Sequence, residues 1–116
     1  DQGTRTMMGL SPTQVAAAIA PLGIAAIGAN CGKDLASMEK IVTELSAQNT
    51  GLPLWIKPNA GLPRMDGDGS VYDLPPEKMG ESAKRFVELG ARIVGGCCGN
   101  SPAHVAAIVQ AVKKSP

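Results

Sequence analysis

At 116 residues, with 44% apolar and 18% charged side chains, the chain can build one modest hydrophobic core and does not have the composition of a disordered segment. Acidic and basic residues balance to a net charge of +1 without a basic cluster, which excludes the usual nucleic-acid binder, whose affinity comes from Lys and Arg on phosphates. No apolar run approaches the roughly 20 residues of a membrane span, so a membrane is not expected as a partner.

In chain order, residues 1–10 read as loop. Ser11-Pro12-Thr13-Gln14 opens a helix: Ser11 caps, Pro12 suits the first turn, and Gln14 reaches back as a capping-box partner. Val15, Ala18, Ile19 and Leu22 form its apolar face, and Gly23 stops it. Ile24–Gly28 is short and continuously apolar, as a strand buried on both faces reads. A second helix runs from about Asp34 to Gln48 on the stripe Leu35, Met38, Ile41, Val42 and Leu45. Leu54–Lys57 forms the second strand, ended by Pro58. The connection 59–75 carries a Gly67-Asp68-Gly69 turn able to join Arg64–Asp66 with Ser70–Asp73 as a hairpin; connections of that length are usually functional or disordered. A third helix, Pro76 to Leu89, buries Met79, Ala83, Phe86 and Val87. Ile93 and Val94 centre a third strand, Arg92–Gly96. The last helix repeats the first one's opening with Ser101-Pro102-Ala103-His104, faces Val105, Ile108, Val109 and Val112 inward, and ends on Lys113 and Lys114, which suit its dipole. The order α-β-α-β-α-β-α implies right-handed crossovers and a parallel sheet with its functional ends on one side. Three strands cannot close a barrel of eight, so the expected fold is α/β, a stretch of a (β/α) barrel.

The only cysteines are Cys31, in Asn30-Cys31-Gly32, and the pair Cys97-Cys98, in Gly95-Gly96-Cys97-Cys98-Gly99. Adjacent cysteines are poorly placed to bond each other. An odd count also argues against a secreted disulfide framework, and Asp1-Gln2-Gly3-Thr4-Arg5 does not read as a signal peptide, so a reducing cytoplasm is expected. Each cysteine follows a strand, on the rim where barrel enzymes keep their chemistry. Three thiolates with one open position suit a catalytic zinc ion, and the flanking glycines let the chain bend between neighbours. The bland alternative is three small buried hydrophobes at strand ends. Lys57 and Asn59 bracket the end of the middle strand and are expected at the same rim; Lys57 either offsets thiolate charge or snorkels at the surface. Asn30 either bonds to the site or caps a turn. His104 falls on the side of Gln14 in the repeat and is expected to be exposed, outside the metal site.

Gly28-Ala29-Asn30-Cys31-Gly32, Lys57-Pro58-Asn59-Ala60-Gly61 and Gly95-Gly96-Cys97-Cys98-Gly99 resemble the homocysteine S-methyltransferase domain. Arg5-Thr6-Met7-Met8-Gly9 and Val71-Tyr72-Asp73 favour the type found in bacterial cobalamin-dependent methionine synthase. The resemblance covers the whole chain, 1–116, as a single partial domain, the C-terminal half of a (β/α)8 TIM barrel. It implies that Cys31, Cys97 and Cys98 bind zinc, that homocysteine joins the ion through its thiol, and that this sulfur takes a methyl group to give methionine. Asn30, Lys57 and Asn59 are then candidates for substrate binding. It further implies a methyl-donor domain or methylcorrinoid protein as partner, with cobalamin reached only through domains absent here, and a missing N-terminal half-barrel, or self-association in its place. Pro75 stands where the family commonly has a capping Ser or Thr. Two other readings compete: a noncatalytic zinc- or thiol-binding half-barrel that pairs with another chain, and a zinc hydrolase, which lacks a convincing general base.

Overall fold

The computed structural model describes residues 4–67 and 69–113; Lys114, expected in the last helical turn, and Asp68, expected in the hairpin turn, lie outside them. The elements are α1 (Pro12–Ile19), a 3-10 turn (Ala20–Leu22), β1 (Ile27–Cys31), α2 (Leu35–Ala47), β2 (Leu54–Pro58), β3 (Pro63–Asp66), β4 (Gly69–Tyr72), α3 (Pro76–Leu89), β5 (Ala91–Val94) and α4 (Pro102–Lys113). The capping box at α1 is complete: Gln14 N–H donates to Ser11 Oγ at 3.2 Å and Ser11 N–H to Gln14 Oε1 at 2.8 Å. Pro75 gives α3 no side-chain cap.

β1, β2 and β5 form a parallel sheet in that order, with β2 central, and β3 pairs with β4 as a separate antiparallel hairpin. The helices cover one face. Ile27, Leu54, Ile56 and Ala91 point there and pack with Met38, Val42, Leu45 and Phe86, while Met79, Ala83, Ile108 and Ala60 make a second cluster between α3 and α4.

Four expectations need correction. The first strand is displaced to Ile27–Cys31 because pairing begins at Ile27 opposite Leu54, so Cys31 ends the strand instead of following it. The strands are buried on one face only: Trp55 and Ile93, opposite each other in register, are 46% and 42% exposed on the other. On α4 the buried row is His104 and Ile108, with Val112 half-buried, whereas Val105 and Val109 are exposed; α3 is the helix packed against α4, and the 105/109 row lies one step around from that contact. On α1, Pro12 and Ala16 are buried and Ala18 is exposed, since α1 packs mainly on α2, and Leu22, expected to extend that helix's apolar face, is exposed in the 3-10 turn that follows.

Candidate metal centre

The sheet brings the three thiols together through the end of its central strand. Past β2, the Asn59 N–H donates to the Cys31 carbonyl at 3.3 Å on one side. On the other side the Cys97 N–H donates to the Pro58 carbonyl and the Ala60 N–H to the Cys98 carbonyl, each at 2.9 Å. The ladder thus runs beyond the regular strands and sets residues 31 and 97 on opposite flanks of Pro58–Ala60. At Cys31 the chain takes a left-handed φ of +59°, a conformation a non-glycine residue adopts only where its surroundings impose it.

The three Sγ atoms lie within 4.8 Å of one another, with Cys31 to Cys97 at 2.7 Å and Cys97 to Cys98 at 3.9 Å. Zinc–sulfur bonds of about 2.3 Å in a tetrahedron put neighbouring sulfurs about 3.8 Å apart. The Cys97–Cys98 pair has that spacing already, and the Cys31–Cys97 pair reaches it by opening about 1 Å, by the same bond length. An all-thiol donor set with no carboxylate suits a soft or borderline ion. The thiols are hydrogen-bonded to one another. The hydrogen bond from Cys31 pulls the Cys97 thiol below its usual range, helped by the Cys98 N–H and the Asn30 amide. The same bond, with burial, pushes Cys31 up to about 11.

The polar residues singled out by sequence surround this trio in different ways. Asn30 Nδ2 lies 3.5 Å from Cys31 Sγ. Asn59 spans the gap between the two cysteine loops, donating to the Gly32 carbonyl at 3.3 Å and accepting from the Cys98 N–H at 3.0 Å. Lys57 extends over the open face, its Nζ 5.5 Å above the Trp55 ring. In register, Gly28, Trp55 and Ile93 form one row, and Asn30 and Lys57 stand two residues nearer the thiols, so that face grades from apolar to polar toward the rim. A cavity of about 560 Å³ opens beside β1 against Arg5, Met7, Leu10, Ala29, Asn30 and Cys31.

Sequence reasoning missed three contributors. His104 is buried, contrary to expectation, because both ring nitrogens are bonded, to Ser101 and to the Leu74 carbonyl. Its place three residues after Ser101, like Gln14 after Ser11, was the available signal. Asn100 Nδ2 donates to the Pro58 and Cys97 carbonyls at 3.0 and 3.3 Å. Tyr72 packs on Gly99, where a Cβ would lie 2.2 Å from its Cγ; burial and the neighbouring Cys98 thiol raise its phenol pKa.

A parallel α/β sheet with a convergent thiol trio at the C-terminal ends of its strands is the rim of a (β/α) barrel equipped to hold a metal. The profile of the family described as homocysteine S-methyltransferase matches residues 1–112, and the chain belongs to that family. Methionine synthase from Mycobacterium tuberculosis is 40% identical over 96 residues, 82% of this chain and 8% of that protein. Methionine synthase from Mycobacterium leprae is 38% identical over 99 residues, 84% and 8% of the two chains. The crystal structure of the homocysteine methyltransferase MmuM from Escherichia coli, in its oxidized form, matches with a TM-score of 0.66 and 26% identity, over 88% of this chain and 30% of that one. The chain therefore spans 8% of the length of these curated relatives, and the expected fold class, a piece of a (β/α)8 barrel, holds.

Proposed function

We propose that this chain is the metal-bearing part of a homocysteine S-methyltransferase of the methionine synthase type, in which Cys31, Cys97 and Cys98 hold Zn²⁺ and homocysteine is methylated to methionine. The observation that carries the reading is the convergence of three thiols within 4.8 Å in a chain of this family. Bound there, zinc supplies a lowered thiol pKa, so that the incoming substrate is a thiolate near neutral pH without a general base. The three cysteine thiolates bring one more negative charge than the ion cancels, which keeps the substrate sulfur electron-rich toward the methyl carbon. Asn59 fixes the spacing of the cysteine loops through its two hydrogen bonds. Asn30 lies at the Cys31 sulfur, and the Lys57 ammonium is available on the open face to the carboxylate of the amino-acid substrate. The methyl group comes from a donor domain or methylcorrinoid protein outside this chain, and cobalamin enters only through it. Free thiols suit a reducing cytoplasm; no helix among the described residues is long and apolar enough to cross a membrane.

The exposed face with Trp55 and Ile93 favours a second reading, a noncatalytic thiol-binding half-barrel that works by pairing with another chain. Methyl transfer to homocysteine above background separates the two. For the metal itself, about one Zn²⁺ per site is expected under reducing, chelator-free conditions, with sharp loss in Cys97→Ser. Full zinc in a triple Cys→Ser variant puts the site elsewhere. X-ray absorption should give three sulfur neighbours alone and four with homocysteine; an unchanged count removes the methyltransferase reading and leaves the metal site.

A further inference from the structure

His104 is buried at 8% exposure, and the chemistry above gives it no part. Its Nε2 lies 2.6 Å from the Leu74 carbonyl, which only accepts, so Nε2 carries the proton. The Ser101 N–H, which only donates, points at Nδ1 at 3.2 Å, so Nδ1 accepts, and the Ser101 hydroxyl lies 2.8 Å from the same atom. Both ring nitrogens are thus used, Nε2 as donor and Nδ1 as acceptor. Helix α1 shows what capping alone requires: Gln14 accepts from the Ser11 N–H at 2.8 Å. What the imidazole of α4 adds is the second nitrogen, aimed at another segment.

The two segments it joins are those flanking Cys97 and Cys98. Ser101 ends the cysteine loop. Leu74 follows β4, two residues beyond Tyr72, and Tyr72 lies on Gly99 so closely that no Cβ fits there. A closed path thus runs from His104 to Leu74, along the chain to Tyr72, across to Gly99 and along the chain to Ser101, and Cys98 is the residue directly before Gly99. The Arg64 guanidinium, paired with the Asp73 carboxylate, ties the hairpin to the same stretch.

We propose that His104 is a positioning residue for the thiol cluster: by clasping Leu74 to Ser101 it holds Tyr72 against Gly99 and fixes the Cys97–Cys98 loop where the sulfurs share one ion. This rests on the metal reading of the trio. Groups that orient ligands from behind typically account for about 10–100-fold in metal affinity, and that is the size of effect expected.

The test compares His104→Asn and His104→Gln in the complete protein. Asn keeps an acceptor near the Nδ1 position and deletes the donor to Leu74; Gln carries an amide N–H out to about the Nε2 position and has the capping precedent of Gln14. His104→Asn should bind Zn²⁺ about 10–100-fold more weakly in chelator competition, and its Co²⁺ form should lose thiolate-to-cobalt charge-transfer intensity. His104→Gln should recover most of both. Nitrogen-15 shifts of the wild-type imidazole should report an unprotonated Nδ1. A folded His104→Asn with wild-type zinc affinity and an unchanged cobalt band overturns the proposal. So does a loss that tracks melting temperature alike in both variants, which marks a packing role only. A wild-type protein that takes up no zinc removes the metal reading and the clasp together, a result distinct from either.

Discussion

Asp34 sets where α2 begins. Its carboxylate accepts from the Ser37 N–H at 2.8 Å, satisfying one of the donors a helix leaves orphaned. The bonds from Ser37, with lesser help from Lys33 and Lys40, hold its carboxyl below the usual range. An acid with a depressed pKa in the fold contributes stability that is present above its unfolded pKa and is lost as pH falls through the folded value. Asp34→Ala should therefore cost about 1 kcal/mol at neutral pH. Asp34→Asn, also a good cap, should leave neutral stability nearly unchanged and flatten the loss below about pH 4. Urea melts at pH 7 and pH 3 check both, and equal acid sensitivity in Asn and wild type would count against the assignment. Gly99 is the other single position on which much depends. Its φ of +83° and the Tyr72 ring leave no room for a side chain, so Gly99→Ala should cost about 1–3 kcal/mol and lower zinc content in the surviving folded protein.

At the scale of elements, β1 and β2 approach so closely at Gly28 that a Cβ there would sit 1.7 Å from the Trp55 carbonyl oxygen. Gly28→Ala must part the two strands that carry Cys31 and Pro58. It should cost at least about 3 kcal/mol, the upper end for overpacking, and weaken metal binding in parallel; a melting temperature like wild type's would refute the close approach. The helices were legible in the sequence for physical reasons. Met38, Val42 and Leu45 recur at helical spacing and are buried together, and Ser11 and Gln14 carry their capping chemistry locally. The convergence of the cysteines was legible too, because all three fall at the C-terminal ends of strands of a parallel sheet, Cys31 as the last residue of β1 and Cys97-Cys98 just past β5. The start of β1 was not, since Ile24-Ala25-Ala26-Ile27 is uniformly apolar and only pairing with β2 fixes the register. His104 was misread because a lone histidine early in a helix gives no sign of an accepting carbonyl in a segment 30 residues away. The single-faced burial of the sheet was hidden as well: Trp55 and Ile93 are apolar whether or not anything covers them.

The molecule as a whole is a thin slab, 20 Å along its shortest axis, made of one helical layer on the three-stranded sheet, with the β3–β4 hairpin beside it. Among the described residues β1 and β5 each have one unpaired edge, and such edges are templates for another chain. The uncovered face presents Trp55 and Ile93 side by side, at a cost of roughly 25 cal/mol for each Å² of apolar surface left in water. Below the thiol rim this face is what a closed barrel would bury, and the match to 30% of a larger methyltransferase chain places it in such a context. Expressed by itself, the 116-residue chain should therefore associate, with sedimentation coefficients that rise across a concentration series. Ile93→Lys puts a charge on the open face without touching the helix-covered core, so it should shift the chain toward monomer while leaving its far-UV spectrum unchanged. Because the rim lies at the end of the same face, association should also slow alkylation of Cys98, and Ile93→Lys should relieve that protection. A compact wild-type monomer at micromolar concentration, with Cys98 alkylated at the same rate throughout the series, would mean that neither the open face nor the free edges drive assembly.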